Sequence, residues 1–160
     1  GVAVGIIRED LIGAPSMAVP TMLRYSTHAK NDSLYNTPPT FAIYMTNLVL
    51  NWVKAQGGAA AIEKINKEKA GLLYGAIDGS DGFYRGVAQE GSRSIMNVTF
   101  RLGSEELEKQ FAKESEAQGF VGLKGHRSVG GLRASIYNAV PLASVKALVD
   151  FMNDFKRRNG

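Results

Sequence analysis

The densest set of chemically capable side chains in this 160-residue sequence is Lys124-Gly125-His126-Arg127-Ser128-Val129-Gly130-Gly131-Leu132-Arg133. Three glycines make the backbone permissive, and two arginines, a lysine and a histidine bring fixed or switchable positive charge to it. That combination suits an anion, because a guanidinium offers a planar fork matched to carboxylate or phosphate and His126 can donate to either. Arg133 alternates with Leu132 and Ala134 at the start of a strand pattern, so the sheet sets its direction. The same residues also suit a solvated basic turn. A second candidate is Tyr35-Asn36-Thr37-Pro38-Pro39-Thr40, where the Asn36 amide and the Thr37 hydroxyl stand on a proline-stiffened lead-in to a helix. Anion binding and plain helix capping are both open to that pair. Ser26, Thr27, His28 and Lys30 form a weaker polar cluster that reads as surface.

Other chemistries find no support. The chain has no cysteine, which removes disulfides, thiolate metal sites and cysteine nucleophiles. His28 and His126 lie 98 positions apart and offer no metal-ligand spacing. The sequence lacks a dinucleotide glycine fingerprint, a P-loop and a nucleophile elbow. Gly119-Phe120-Val121-Gly122-Leu123 lacks the interleaved aromatics of an RNA-binding strand. Asn31-Asp32-Ser33 and Asn97-Val98-Thr99 match the glycosylation pattern with no secretion signal beside them.

The elements that must position these residues follow from periodicity. Gly1-Val2-Ala3-Val4-Gly5-Ile6-Ile7 is apolar and β-branched, too short to span a membrane, and reads as a strand buried on both faces. With no neighbouring strands in view and no initiator methionine, it leads us to expect that the chain begins inside something larger. Residues 11–40, with Pro15, Pro20, Pro38 and Pro39, read as irregular. Phe41, Tyr44, Met45, Leu48, Val49, Trp52 and Val53 predict an amphipathic core helix stopped by Gly57-Gly58. A second helix is predicted over residues 59–74, with Ile62, Ile65, Leu72 and Leu73 apolar and Glu63, Lys64, Lys67, Glu68 and Lys69 solvated.

From residue 95 the period changes to two, with Met96, Val98, Phe100 and Leu102 on one face. Ser104 then stands at an N-cap position ahead of Glu105 and Glu106, opening a helix that Gly119 closes. Residues 120–123 read as a short strand and 132–140 as a longer one. Pro141 follows at a first-turn position, and Leu142, Val145, Leu148, Val149, Met152 and Phe155 form the stripe of a final helix. The order strand-helix-strand-strand-helix predicts a small α+β domain with both helices on one face of an open sheet.

Composition agrees with a folded protein: 44% of residues are hydrophobic and 21% charged, which excludes disordered and collagen-like classes. Nineteen Lys and Arg against fifteen Asp and Glu give +4, of which residues 81–160 hold +3. Part of that surplus is Lys156, Arg157 and Arg158, which favour a helix C-terminus.

Several segments, in order along the whole chain, carry a family resemblance: Ile6-Ile7-Arg8-Glu9-Asp10-Leu11, Tyr35-Asn36-Thr37-Pro38-Pro39-Thr40, Gly82-Phe83-Tyr84, Arg93-Ser94-Ile95-Met96-Asn97-Val98 and the run from Gly125 through Asn138. The chain resembles the C-terminal part of the phosphoserine aminotransferases, class V, fold-type I enzymes dependent on pyridoxal 5'-phosphate (PLP). The resemblance implies an α/β fold in which residues 1–58 end the large PLP-binding domain, with a dimer-interface loop, and residues 59–160 form the small α+β domain. It implies a cytoplasmic homodimer that moves an amino group from L-glutamate to 3-phosphohydroxypyruvate, giving O-phospho-L-serine and 2-oxoglutarate in serine biosynthesis. It also implies the phosphohydroxythreonine step of pyridoxine biosynthesis. Asn36 and Thr37 resemble the pair that reaches the cofactor phosphate of the neighbouring subunit. His126 and Arg127 resemble the pair that holds the distal phosphate or the side-chain carboxylate of glutamate, and Arg133 resembles the arginine that clamps the α-carboxylate.

The family's Schiff-base lysine precedes the segment that starts here at Gly1, so no catalytic residue is assigned, and Lys30, Lys54 and Lys124 are not in its motif. The resemblance therefore implies an N-terminal portion as partner, without which the chain is inactive. A stand-alone module binding a phosphorylated ligand through His126, Arg127 and Arg133 is the alternative. A basic RNA-binding domain is a third and weaker reading. No nucleic-acid, membrane or metal partner is expected.

Overall fold

Among the described residues the chain forms five helices and one small three-stranded sheet. The structure, a computed structural model, describes residues 1–13 and 18–160; Pro15, counted above among the prolines of the irregular stretch, lies outside them. The chain forms two compact units, Gly1–Ala55 and Gln56–Gly160.

In the first unit, residues 1–7 are not a strand. A strand exists by exchanging backbone hydrogen bonds with a neighbour, and no described residue pairs with this segment. Val4 and Ile6 are accordingly exposed, Ile6 at 99%. A 3-10 turn at Glu9–Leu11 leads into the stretch read as irregular, which contains a second at Thr21–Leu23 and a short helix α1, Tyr25–Lys30. Local bonds hold it: Arg24 Nε donates to the Val19 carbonyl at 2.6 Å, and the His28 ring meets the Met22 carbonyl at 2.9 Å. Helix α2, Thr40–Ala55, follows the predicted periodicity, but it is not the core helix expected, because none of its residues is buried.

The second unit opens with α3, Gly58–Asp78, four residues longer at its C-terminus than predicted. Its buried stripe runs through Ile62, Asn66, Lys69, Ala70, Leu73 and Ile77. The phase of that stripe corrects two expectations. Ile65, one step off it, is exposed, whereas Lys69, expected in solvent, is fully buried. The Lys69 ammonium donates to the carbonyls of Ile136, Tyr137 and Val140 at 3.0, 2.8 and 3.0 Å, and burial pushes its pKa down. A lysine can be buried this way because three carbonyl dipoles replace the water it loses. After α3, the buried Ser80 hydroxyl donates to Ile77 O at 2.6 Å and accepts from Tyr84 N at 2.8 Å, closing the turn.

The sheet has order β1-β2-β3 and is antiparallel throughout, with β1 Arg85–Gly86, β2 Asn97–Arg101 and β3 Leu132–Ser135. Thr99 lies opposite Arg133, and Phe100 opposite Leu132. The two-residue β1 escaped sequence reading, since two residues carry no period. The strand predicted at residues 120–123 is absent: Gly119 and Gly122 take positive φ there, and only a Lys124–Leu132 bridge forms. The strand predicted over 132–140 ends at Ser135, because the chain then turns so that its carbonyls face Lys69. The strand-helix-strand-strand-helix order is thus corrected to β1-β2-α4-β3-α5, with α4 Glu105–Ala117 and α5 Leu142–Asn159.

Ser104 caps α4 as predicted, its hydroxyl accepting from Leu107 N at 3.2 Å. Pro141 is the N-cap residue of α5 and so stands one position ahead of the first turn. Val98, Phe100, Leu132 and Ala134 bury one face of the sheet against apolar residues of α3, α4 and α5. Phe111 is the hub, with its ring centroid 5.0 to 6.0 Å from those of Tyr84, Phe100, Phe151 and Phe155. The basic end of α5 is not a free patch. Arg158 pairs with Asp154 and Glu114, Arg157 pairs with Asp154, and Lys156 reaches Asp81 at 3.0 Å.

Candidate anion-binding site

With its core face covered, the sheet leaves a polar face made of Asn97, Thr99, Arg101, Arg133 and Ser135, all half-buried. Arg133 stands on that face, on β3 opposite Thr99. Its backbone NH donates to the Leu123 carbonyl at 2.7 Å, so β3 is braced on both edges and the side chain starts from a rigid position. Its guanidinium Nε is buried and has no hydrogen-bond partner among the described residues. A buried guanidinium nitrogen without an acceptor is costly, and an incoming carboxylate relieves that cost with two parallel bonds.

The connection before β3 folds back on itself. Gly125 N donates to Gly131 O at 2.8 Å, and the amides of Val129 and Gly130 both donate to His126 O, at 2.9 and 2.8 Å. Gly125 must be glycine, since a Cβ there would sit 2.1 Å from the Gly130 carbonyl oxygen. The loop presents His126 and Arg127 to solvent, with His126 Nδ1 2.7 Å from the Ser128 hydroxyl. Neither Arg127 nor Lys124 has an acidic partner within ion-pair distance among the described residues. The loop, Arg101 and the first turns of α4 enclose a cleft of about 570 Å³ that Lys124, His126 and Arg127 line.

The structure therefore brings His126 and Arg127 together on one loop and places Arg133 on the strand that follows, outside the lining of that cleft. Asn36 and Thr37 lie in the first unit, both exposed, three residues and more ahead of α2. Neither caps that helix: the Asn36 amide donates to Thr37 O at 3.1 Å instead. Two residues beside the loop went unnoticed in the sequence. Arg101 donates to the Val129 carbonyl, and Glu108, itself buried, approaches Arg101 at 3.6 Å. The period-two pattern does put Arg101 on the polar face, but nothing in the spacing of Glu108 marks it as a partner. Among the described residues, no helix is long and apolar enough to cross a membrane, and no group of three His, Asp or Glu is placed to hold a metal ion.

Comparison with known proteins adds a family to this geometry. Residues 1–148 match the aminotransferase class-V family. Phosphoserine aminotransferase of Niallia circulans is 62% identical over 160 residues, covering all of this chain and 44% of that protein. The phosphoserine aminotransferase of Geobacillus kaustophilus (strain HTA426) is 62% identical over 158 residues, again 44% of its length. The solved structure of phosphoserine aminotransferase from Bacillus circulans subsp. alkalophilus superposes with a TM-score of 0.90 at 62% identity, covering 96% of this chain and 43% of that one. A PLP-bound phosphoserine aminotransferase from Trichomonas vaginalis superposes with a TM-score of 0.83 at 39% identity, covering 92% and 42%. The chain spans less than half the length of these relatives. With its helices, its polar-faced sheet and a family match over nearly all of its residues, the chain belongs to the aminotransferase class-V family.

Proposed function

We propose that this chain is the C-terminal part of a phosphoserine aminotransferase. In that reading, residues 1–58 close the large cofactor-binding domain and residues 59–160 form the small domain. The enzyme transfers the amino group of L-glutamate to 3-phosphohydroxypyruvate, producing O-phospho-L-serine and 2-oxoglutarate, and serves the phosphohydroxythreonine step of pyridoxine biosynthesis as well. It works as a cytoplasmic homodimer, and the remainder of the polypeptide supplies the lysine that the chemistry requires. The identity to phosphoserine aminotransferases along the whole chain supports the name. One observation carries the chemistry: Arg133, rigid on β3, holds a buried guanidinium nitrogen without an acceptor.

Both substrates are amino or oxo acids with an anion at each end, and the residues here divide that recognition. Arg133 takes the α-carboxylate through its planar fork and so orients the reacting carbon. His126 and Arg127 take the distal phosphate of one substrate and the side-chain carboxylate of the other, which explains how one site serves both half-reactions. The electron sink that lets an amino group move between carbon skeletons is the chemistry that PLP supplies when bound. Asn36 and Thr37 fit its phosphate, since a carboxamide and a hydroxyl stand exposed and give that anion neutral donors.

Steady-state transamination by the enzyme carrying this chain tests the reading. Arg133→Ala should lower kcat/KM for glutamate and for 3-phosphohydroxypyruvate alike, each by the equivalent of about 2–5 kcal/mol, because both carry an α-carboxylate. Unchanged kinetics for both substrates would refute the assignment.

A further inference from the structure

The cleft beside the 124–131 loop contains an arginine whose charge is already committed. Arg101 projects from the polar face of β2, and its guanidinium reaches in two directions. On one side it faces the Glu108 carboxylate at 3.6 Å. Glu108 is buried in the first turn of α4 and is fixed by a second bond, accepting from Leu102 N at 3.3 Å. On the other side Arg101 donates to the Val129 carbonyl. The loop lies directly on this side chain: a Cβ on Gly131 would meet Arg101 Cδ and Nε at 3.1 Å, and one on Gly130 would meet its terminal nitrogen at 3.4 Å. Gly130 and Gly131 take positive φ, +73° and +70°, where an L side chain is disfavoured in any case.

The consequence passes down the chain to the anion-binding residues. Val129, whose carbonyl Arg101 holds, and its neighbour Gly130 are the two residues whose amides bind the His126 carbonyl, and Arg127 follows His126 directly. Fixing the Val129 carbonyl and the glycine pair therefore fixes the backbone from which both side chains extend. We infer that Arg101, anchored by Glu108, is a positioning residue that sets the conformation of the 125–131 loop and through it the recognition of the substrate's distal anion. The inference rests on the preceding reading of His126 and Arg127. Arg101 itself is not the anion ligand, because Glu108 already neutralises it and Val129 occupies its fork. A lysine does not reproduce this arrangement, since its donors radiate from one nitrogen, whereas two separate nitrogens of the planar Arg101 fork face Glu108 and Val129.

The experiment compares Arg101→Met, Arg101→Lys, Glu108→Gln and Arg127→Ala in the assembled holoenzyme, using glutamate and, as a donor without a distal anion, L-alanine. Amide hydrogen exchange of the loop is followed in parallel. Arg101→Met should raise KM for glutamate about tenfold, equivalent to about 1.4 kcal/mol, while kcat with glutamate and kcat/KM with alanine stay within about twofold. Arg101→Lys should behave like Arg101→Met, Glu108→Gln should shift KM for glutamate in the same direction by a smaller factor, and the Val129 and Gly130 amides should exchange faster in all three. Glu108→Gln keeps the volume of its site and an acceptor oxygen for Leu102 N while removing the charge that faces Arg101, so it decides the matter if Arg101→Met does not fold. Equal losses with glutamate and alanine, or unchanged exchange of the loop amides, would overturn the role of Arg101. If Arg127→Ala abolishes the preference for glutamate while Arg101→Met leaves its KM alone, the inference fails and the anion reading stands. If Arg127→Ala keeps the preference, the anion reading fails, and loop exchange still decides whether Arg101 is the brace.

Discussion

Helices α2 and α5 are similar in length, 16 and 18 residues, and both are rich in large apolar side chains, yet they end in opposite environments. α5 buries Val145, Leu148, Phe151, Met152 and Phe155 in the core of the second unit. α2 leaves Phe41, Tyr44, Leu50 and Trp52 exposed, Phe41 at 75%. The difference teaches that an apolar stripe states which face of a helix requires burial but does not supply what covers it. In the second unit, sheet and helices cover one another. Its stability is therefore internal, while the apolar side chains of α2 contribute little to folding of the 160-residue chain.

The largest effect should come from the hub of that core. Phe111→Ala should cost about 3–5 kcal/mol in urea denaturation of the chain, whereas Phe41→Ala should stay within about 0.5 kcal/mol. Comparable losses at the two positions would abolish the contrast between the units. Next comes the buried cation. Lys69→Met fills much of the same volume but leaves the Ile136, Tyr137 and Val140 carbonyls without their donor, and it should cost about 3 kcal/mol. A neutral outcome in the same denaturation experiment would mean that those carbonyls find water.

Tyr84→Phe should cost about 1 kcal/mol, since the buried hydroxyl donates to Met152 O at 2.8 Å and burial pushes its pKa up. An unchanged melting curve would show that the ring alone matters there. The smallest effect lies at the end of α3, where the Arg93 guanidinium holds the Asp78 carboxyl below its ordinary value of 3.8. A carboxyl depressed by folding adds stability above its unfolded value and loses it as pH falls through the folded one. The melting-temperature gap between wild type and Asp78→Asn should therefore be small at neutral pH and close as pH falls below 3.8. A gap that widens in acid would contradict the sign.

Much of the second unit was legible in the residues. Ser104 and the carboxylates after it marked α4, the alternation around Val98 and Phe100 marked β2, and Pro141 marked the start of α5 within one residue. What escaped had a nonlocal cause. Lys69 looks like any solvated helix lysine until the turn after β3 brings three carbonyls to it, and the same turn shortens β3. Residues 1–7 have strand composition, but composition cannot supply a pairing partner. For the site, glycine and charge content pointed to the loop and to Arg133, because those properties are local. Arg101 was missed because its importance lies in a contact across 28 residues of sequence, from Arg101 to Val129, and Glu108 because it matters only through Arg101.

The claim that this chain carries the recognition of doubly anionic substrates is tested most directly by the donor preference of Arg127→Ala in the assembled enzyme. The ratio of kcat/KM for glutamate to that for L-alanine should fall by about one to two orders of magnitude, with the alanine value nearly unchanged, as expected when a charged hydrogen-bond partner of about 1.5–3 kcal/mol is removed. An equal loss for both donors, or no loss for either, would contradict it.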